Sequence, residues 1–561
     1  MTRATTLTRR LSCALAVLGA GFATEACVRE RPPPPRGTLT VSKEQEATWV
    51  RNFNPLSLAA APRWPTYAGI YEPLFVHNGA TGSFVPWLGT SYAWSADHET
   101  LTVTTRKGVT WSDGAPFTAR DVAFTFSLLL KNSALDRRGI RAFLTRARAT
   151  SDDTVEFAFS RAFLPGFDEL APQPIVPEHV WKDVADPVTF TNENPVATGP
   201  FTEVRMFAPQ LFVLGKNPRY WQPGKPAVDA LRFPSFPNND RANLALAFGE
   251  IDWASNFVPA IDRVFVARDP EHNAYWSPLT GSTIFLYPNT KRPPFDDARV
   301  RKAMSMAIDR KLLVEVAMHG YSRPSDATAL SDAYVSWRDE SALAPGDTEW
   351  VKHDPAKAAA LLDVAGYRVG PDGLRSGPDG RVLEHEVATV SGWSDWVRAA
   401  EVIARGLRAV GVSARVRSYD FAAWFQHLQL GDFDLSLGWS VEGPTPYVFY
   451  RNLMASDTVK PVGVSSETNW HRFGSPVADR LLAEFEVEAD DVKQHELVRR
   501  LSREFAATAP AIPLYPNPSW AEYSTRRFTG FPTAKVPFAD PSPIKDDRGG
   551  CLLVLTALEP R

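Results

Sequence analysis

Apolar residues recur at helical spacing through residues 298–318, the most regularly patterned stretch of the chain. In PFDDARVRKAMSMAIDR, one helical face collects Val300, Ala303, Met304, Ala307 and Ile308. Arg301 falls off that face. Asp296-Asp297 and Asp309 stand where capping side chains accept the first free N–H groups of a helix. The pattern predicts two core-facing helices, preceded by an extended segment that ends in Tyr287-Pro288-Asn289.

Helical and strand patterns alternate further along the chain. Residues 398–410 and 421–430 have helical apolar spacing, whereas residues 412–417 alternate and residues 433–437 are a short apolar run. This βα alternation predicts an α/β unit. The Gly- and Pro-rich stretch GWSVEGPTPYVFY, residues 438–450, has no amphipathic period and is predicted to be a loop. Residues 551–558, CLLVLTAL, are predicted to form a terminal strand.

Composition limits the classes of partner. The chain has 561 residues, enough for roughly three or four folding units. Its hydrophobic content of 44% allows a large core, and its net charge of −3 gives no reason to expect nucleic acid as a partner. Trp is abundant at 17 residues, so we expect some Trp side chains outside the core.

The N-terminus has the parts of an export signal. Arg3, Arg9 and Arg10 give a positive start, and residues 11–22 are an apolar run that is too short to span a bilayer. Cys27 follows, and then VRERPPPPRG. We predict a signal peptide over residues 1–26 and a Pro-rich tether over residues 27–37. Cys27 is predicted to carry a lipid that anchors a periplasmic or cell-surface protein; the alternative is ordinary cleavage that leaves a free thiol.

No catalytic pattern is found in the sequence. HExxH, GxSxG, Walker and GxGxxG motifs are absent, and the 10 His are scattered. His385 lies between Glu384 and Glu386, but adjacent residues of a strand point to opposite faces, so no metal site is predicted there. We predict a binding protein rather than an enzyme, with no cofactor and no metal.

Several blocks of the sequence resemble, in order, the family 5 extracellular solute-binding proteins, the peptide-, nickel- and oligosaccharide-binding group that serves ABC importers. PFDDARVRKAMSMAIDR resembles the family signature Pro-Phe-x-Asp-x-x-Val-Arg-x-Ala…Ala-Ile-Asp-Arg. The long block FVPWLGTSYAWSADHETLTVTTRKGVTWSDGAPFTARDVAFTF, residues 84–126, resembles the family almost throughout, and TGPF, NPRYW and GEID follow it. The resemblance extends over essentially the whole predicted mature chain.

This resemblance implies an α/β, two-lobed, periplasmic-binding-protein-like (Venus flytrap) fold with an extra subdomain on the first lobe. The implied first lobe comprises residues 38–80, 191–288 and 515–561, with residues 81–190 as its peripheral subdomain. Residues 289–514 are the implied second lobe. Tyr287, Pro288 and Asn289 are the implied hinge. Such a receptor binds its ligand by closing its lobes around it.

The resemblance also implies the ligand-binding residues. Candidates are Asn54 in an early Asn-Pro loop, and Trp439, Glu442 and Tyr447 in the loop at residues 438–450, together with Trp470. In peptide-binding relatives an Asp of this loop pairs with the amino terminus of the peptide, and Glu442 keeps a carboxylate there. Trp439 and Trp470 suit the flat faces of sugars, as in the cello-oligosaccharide binders of the family.

We therefore expect a monomeric substrate-binding component that captures an oligopeptide and delivers it to an ABC permease. An oligosaccharide-binding protein of an importer, or a ligand-sensing receptor with the same fold, is the alternative.

Overall fold

The computed structural model describes residues 35, 37–43, 45–57, 66, 69–544 and 548–561. The predicted export signal, Cys27 and most of the predicted tether lie outside these residues.

The strands of the described chain are, in order, β1 (Thr38–Ser42), β2 (Phe75–Asn78), β3 (Ser83–Pro86), β4 (Gly89–Trp94), β5 (Thr100–Thr105), β6 (Leu144–Ala149), β7 (Thr154–Phe159), β8 (Phe201–Ala208), β9 (Leu211–Lys216), β10 (Ala230–Pro234), β11 (Trp253–Ala254), β12 (Asn273–Tyr275), β13 (Thr283–Pro288), β14 (Arg368–Val369), β15 (Arg375–Ser376), β16 (Glu384–Val390), β17 (Ser413–Tyr419), β18 (Leu435–Trp439), β19 (Ile512–Pro516), β20 (Glu522–Ser524), β21 (Phe528–Thr529) and β22 (Glu559–Pro560).

The α-helices of the described chain are α1 (Ala119–Lys131), α2 (Gly166–Leu170), α3 (Glu178–Trp181), α4 (Asn239–Ala247), α5 (Ile261–Val264), α6 (Ala298–Ala307), α7 (Arg310–Met318), α8 (Pro345–Thr348), α9 (Pro355–Val364), α10 (Ser394–Ala409), α11 (Phe421–Leu430), α12 (Pro446–Met454), α13 (Pro476–Val487), α14 (Asp491–Thr508) and α15 (Cys551–Ala557). Strands and helices alternate along much of the chain, which confirms the α/β class.

The three largest sheets have seven, five and four strands. The seven-stranded sheet has the order β12-β20-β11-β1-β10-β9-β8, and the five-stranded sheet has the order β17-β16-β18-β13-β19. The four-stranded sheet β4-β5-β7-β6 is built from residues 89–159 and packs against α1. Thr118 and Asp121 form a capping box at the start of α1, so this helix begins where the sequence predicts it.

Two connections join the seven-stranded to the five-stranded sheet. Residues 276–282 lead from β12 into β13, and residues 517–521 lead from β19 into β20. The two connections run side by side, because the N–H of Asn517 donates to Ser282 O at 2.7 Å and the N–H of Ser519 donates to Pro278 O at 2.8 Å. Gly281 allows this approach, since a Cβ there would lie 2.3 Å from Asn517 O.

The residues predicted as the hinge belong to the five-stranded sheet. Tyr287 and Pro288 are the last residues of β13, which is hydrogen-bonded to β18 on one side and to β19 on the other. Asn289 is fully buried, and its Nδ2 donates to Gly431 O at 2.8 Å. These three residues therefore lie inside the five-stranded sheet, several residues beyond the connection at residues 276–282.

The signature helices α6 and α7 begin at the predicted caps. Asp297 accepts the N–H of Arg299, and Asp309 accepts the N–H of Leu312. The expectation that Arg301 lies off the apolar face is wrong, because its side chain is buried and donates to the carbonyls of Phe295, Thr508 and Ala509. The helix can bury this guanidinium because the carbonyl oxygens satisfy its N–H groups.

Arg310, at the start of α7, is buried in the same way. It donates to the carbonyls of Ser305, Val351 and Pro513 and to the Ser305 hydroxyl. Burial lowers the pKa of Arg310 to about 9 and that of Arg301 to about 10. Through these hydrogen bonds, Arg301 and Arg310 link α6 and α7 to the backbone of neighbouring segments.

A second set of resemblance blocks meets at one buried carboxyl group. Glu72 accepts hydrogen bonds from Trp87 Nε1 at 2.6 Å, from Tyr220 Oη at 2.9 Å and from Trp221 Nε1 at 3.1 Å. Its side chain is fully buried. The NPRYW block, at residues 217–221, is therefore joined to the chain before β2 through a single acidic side chain.

One local expectation from the sequence is wrong. Residues 551–557 form the helix α15 and not a strand, with Cys551, Leu552, Val554 and Leu555 buried; a short apolar run fits either element. Residues 69–72 form turns before β2. Among the described residues, no helix is long and apolar enough to cross a membrane.

Candidate functional site

The candidate site is built on the edge where the parallel strands of the five-stranded sheet end. β16 runs parallel to both β17 and β18, so all three have their carboxyl ends at one edge. Trp393 follows β16, Phe421 follows β17 and Trp439 is the last residue of β18. In open α/β sheets, ligands bind outside the carboxyl ends of the strands.

Four partly exposed aromatic side chains lie together at this edge, and we call them the aromatic face: Trp393, Phe421, Phe425 and Trp439. The Trp439 ring is nearly parallel to that of Phe425, with centroids 6.0 Å apart and planes 15° apart. It is also parallel to Phe421 within 4°, at 6.5 Å. Three rings of similar orientation thus lie together at this edge.

Buried Trp residues support the aromatic face from behind. Trp396 and Trp424 are 3% and 1% exposed, and both contact the Trp439 ring. Trp470 is predicted from the sequence to bind ligand, but it is 3% exposed and stands edge-on to Trp439, with centroids 5.8 Å apart. Its Nε1 donates to Ser466 O. The structure therefore places Trp439 at the edge and Trp470 beneath it.

Asn54 and Tyr447, two further predicted ligand residues, are engaged within the protein. Asn54 is fully buried, and its Nδ2 donates to Pro187 O and Phe190 O, both at 2.9 Å. Tyr447 is 2% exposed, and its hydroxyl donates to Glu486 Oε1 at 2.7 Å. Neither side chain belongs to the aromatic face.

Glu442 lies in the loop that follows β18 and is partly exposed. Its Oε1 accepts the Ser440 hydroxyl at 2.6 Å, and its backbone oxygen accepts Arg548 Nη2 at 3.2 Å. Burial, and after it the charge of Glu442, raises the pKa of Tyr287 and of Tyr334. The Ser440 hydroxyl thus donates to the carboxylate from within the same loop.

The opposite side of the site is the carboxyl edge of the seven-stranded sheet. β1 runs parallel to β10 and to β11, so these strands also end together. Just after β10, Asn239 donates through its N–H to Gly392 O and through Nδ2 to Asp395 Oδ1, both at 3.3 Å. Just after β11, Phe257 contacts His319, with ring centroids 5.9 Å apart. The two carboxyl edges therefore face each other.

Two buried polar side chains, Asp395 and Tyr515, lie close to each other next to the aromatic face. Asp395, in the first turn of α10, is 6% exposed, and burial raises its pKa to about 6. The Tyr515 hydroxyl is buried and has no hydrogen-bond partner among the described residues. Tyr515 is paired with Ile284, which is itself paired with Trp439, so all three side chains lie on one face of the sheet.

The sequence alone predicts Trp439 but not the residues around it. Trp393, Phe421 and Phe425 lie on separate segments, and only the parallel pairing of β16, β17 and β18 brings them together. A useful signal was present: an aromatic residue follows β16 and β17 within three residues and is the last residue of β18. Among the described residues, no group of three or more His, Cys, Asp or Glu side chains is placed to hold a metal ion.

Comparison with known proteins assigns the fold. The family described as bacterial extracellular solute-binding proteins, family 5, matches residues 83–460. A nickel-binding periplasmic protein of Escherichia coli is 25% identical over 491 residues, which cover 84% of this chain and 88% of the relative. The glutathione-binding protein GsiB of Salmonella typhimurium is 27% identical over 348 residues, covering 59% and 60% of the two chains.

Solved structures agree over almost the full length. The mannohexaose-bound periplasmic oligopeptide-binding protein of Thermotoga maritima has a TM-score of 0.84 and 27% identity, covering 94% of this chain and 99% of the other. The oligopeptide-binding protein AppA of Bacillus subtilis, in complex with a nonapeptide, has a TM-score of 0.78 and 19% identity, covering 94% and 100%. The two-lobed fold predicted from the sequence is confirmed. The chain belongs to family 5 of the bacterial extracellular solute-binding proteins, the substrate-binding components of ABC importers.

Proposed function

We propose that this solute-binding protein captures an oligosaccharide between its lobes and delivers it to an ABC permease. The observation that carries the proposal is the aromatic face, in which Phe421, Phe425 and Trp439 present rings of similar orientation at a strand edge where ligands bind. Sugars offer flat C–H faces with a polar rim, and aromatic rings can contact those faces.

A second candidate ligand is an oligopeptide, the first expectation from the sequence. Glu442 favours it, because a carboxylate in the loop after β18 suits the ammonium group of a peptide. The Ser440 hydroxyl already donates to that carboxylate, so we favour the sugar. The known structures do not distinguish the two ligands, since the Thermotoga protein that is named for oligopeptides was solved with mannohexaose bound.

Calorimetry with mannohexaose, cellohexaose and penta-alanine separates the two ligands. We expect a hexaose to bind, Trp439→Ala to weaken it at least about tenfold (~1.4 kcal/mol) and Glu442→Gln to change it less than about threefold. Trp94→Ala is the control, because Trp94 is partly exposed in the four-stranded sheet. Binding of penta-alanine alone, weakened by Glu442→Gln and not by Trp439→Ala, would establish the peptide instead.

Closure of the lobes belongs to the same proposal, with a revised hinge. The paired connections at residues 276–282 and 517–521 are the covalent links between the seven-stranded and five-stranded sheets, so we place the hinge there and not at Tyr287-Pro288-Asn289. The first lobe then contains the seven-stranded sheet and the second lobe the five-stranded one. Hinges are short segments that take up a change in backbone dihedral angles while the lobes stay rigid.

Anchoring through Cys27 remains a proposal that rests on the sequence. An apolar run precedes Cys27 and a Pro-rich segment follows it, as in lipoproteins. We expect the wild-type protein to partition into detergent and Cys27→Ala to remain in the aqueous phase. Equal partitioning of the two proteins would exclude the lipid.

A further inference from the structure

The side chain of Arg548 joins separate parts of the chain. Its Nη1 donates to Asp168 O at 2.7 Å, and its Nη2 donates to Glu169 Oε1 and to Glu442 O, both at 3.2 Å. Asp168 and Glu169 belong to α2, in the predicted peripheral subdomain, whereas Glu442 follows β18 of the five-stranded sheet. The Arg548 side chain is 12% exposed, so water screens these contacts little.

The backbone of Arg548 is held by the segments that are predicted to form the first lobe. Its carbonyl accepts the N–H of His77, in β2, at 3.0 Å. The next residue, Gly549, has a positive φ of 77° and lies against Pro73 and Val76. The guanidinium therefore starts from a fixed position on the first lobe and extends toward Glu442.

A second arginine fixes the carboxylate that Arg548 contacts. Arg138, with a side chain only 4% exposed, pairs with Glu169 Oε2 at 3.3 Å. Burial by itself would raise the pKa of Glu169, but the charges of Arg548 and Arg138 lower it below its ordinary value. Glu169 is therefore ionised at neutral pH, and it orients the Arg548 guanidinium through a charge-assisted hydrogen bond.

The loop that contains Glu442 is fixed to the five-stranded half. Tyr334 Oη accepts the N–H of Gly443 at 2.9 Å and donates to Gly443 O at 3.0 Å. The N–H of Ser440 donates to Thr283 O at 2.9 Å, and the N–H of Thr283 donates to Ser440 Oγ at 2.8 Å. Thr283 is the first residue of β13, directly after the connection at residues 276–282. The contact of this loop with Arg548 therefore joins the two lobes and exists only while they are closed.

We propose that Arg548 is a positioning residue of the closed form, which fastens the loop of Glu442 to the first lobe and to α2 and holds the lobes together before a solute binds. The proposal rests on the lobe closure of the proposed function and deepens it, whether the solute is a sugar or a peptide. Arg548 contacts the main-chain oxygen of Glu442, so it fixes the loop without using the carboxylate. A protein that is partly closed in advance loses less of its affinity to the conformational change.

Two backbone N–H groups report on closure without any ligand. The N–H of Leu164 donates to Glu486 O at 2.8 Å, and the N–H of Asn239 donates to Gly392 O at 3.3 Å, so each bond spans the cleft. Hydrogen–deuterium exchange, followed by mass spectrometry on the ligand-free protein, measures how often these bonds open. We expect both amides to exchange at least about tenfold faster in Arg548→Met than in the wild type, because a buried hydrogen bond from a charged donor is lost.

The matched control is Arg375→Met, which removes a buried arginine within the five-stranded half. The Arg375 side chain is 3% exposed, pairs with Asp363 and donates to Val410 O and Tyr367 O. This variant should leave exchange at the two reporter amides as in the wild type. If Arg548 only attached α2 to the C-terminal segment, Arg548→Met would speed exchange in residues 166–171 and leave the Asn239 amide unchanged, and that result would overturn the proposal.

Glu169→Gln serves if Arg548→Met does not fold, because it keeps an acceptor for Arg548 and removes only the charge. We expect exchange at the Asn239 amide to be about threefold faster in this variant. Wild-type rates in both variants, or a ligand-free wild type whose two reporter amides exchange like those of an unfolded chain, would refute a role of Arg548 in closure. Since no ligand is used, either result leaves the test of the proposed solute with Trp439→Ala unaffected.

Discussion

At the scale of single residues, burial of carboxyl groups sets how stability depends on pH. Glu72 is fully buried among the indole and phenol donors of Trp87, Tyr220 and Trp221, and burial raises its pKa from 4.5 to about 7 in spite of these donors. Burial likewise raises the pKa of Asp395, to about 6. A carboxyl group with a raised pKa binds its proton more tightly in the folded state than in the unfolded state.

The first prediction follows from that sign. Between pH 4.5 and about 7 the folded protein holds a proton on Glu72 that the unfolded chain has released, so a rise in pH through this window destabilises the fold. The full effect for Glu72 is ~3 kcal/mol. We expect the free energy of unfolding in urea to be lower at pH 8 than at pH 5.5.

Glu72→Gln is the matched variant, since a neutral amide cannot ionise. We expect its unfolding free energy to change less with pH than that of the wild type, with the remaining slope due in part to Asp395. Wild type and Glu72→Gln with the same slope would mean that Glu72 ionises normally in the folded state.

At the scale of elements, the sequence predicts where α6 and α7 begin but not what their charged residues do. The caps Asp297 and Asp309 are local, so they can be recognised from spacing. The acceptors of Arg310 lie up to 203 positions away, at Pro513, and nothing in the helical period indicates them. For the same reason α15 was predicted as a strand: a short apolar run fits either element until its neighbours are known.

The second prediction concerns Arg310, whose removal takes a donor from the buried carbonyls of Val351 and Pro513, whereas Ser305 O keeps the N–H of Ile308. Each such group typically costs about 1–3 kcal/mol, and loss of the buried charge offsets part of the sum. We expect Arg310→Met to lower the free energy of unfolding by about 3–5 kcal/mol. Lys311→Met, at the exposed neighbouring position of α7, should stay within about 0.5 kcal/mol. Similar values for the two variants would show that the carbonyls find other donors.

At the scale of the whole molecule, contacts at several points link the two lobes around the cleft. Besides the contact of Asn239 with Asp395, a loop beside the four-stranded sheet reaches the end of α13. Arg161 forms an ion pair with Glu486, and the N–H of Leu164 donates to Glu486 O at 2.8 Å. We call these contacts of Arg161 and Leu164 with Glu486 the latch. Tyr447, predicted as a ligand residue, donates a hydrogen bond to Glu486 from within the second lobe. Sequence reasoning could predict a two-lobed fold from ordered motifs, but not these contacts, which exist only between separate parts of the chain.

The last prediction uses the latch to test closure. The pair of Arg161 and Glu486 joins the lobes, so its loss should lower the fraction of closed protein and weaken the apparent affinity by that fraction. Arg161 is 48% exposed, which limits the pair to about 0.2–1 kcal/mol. We therefore expect Arg161→Met to weaken binding of the probe that calorimetry identifies by up to about fivefold at low salt, and by less at high salt because ions screen the pair. The control is Arg120→Met, which removes the ion pair of Arg120 with Asp152. Both partners of that pair belong to the predicted peripheral subdomain, so this variant should bind like wild type.

Small-angle scattering should give a larger radius of gyration for ligand-free Arg161→Met than for Arg120→Met. If the two variants have the same radius and the same affinity, the latch does not hold the lobes together in solution.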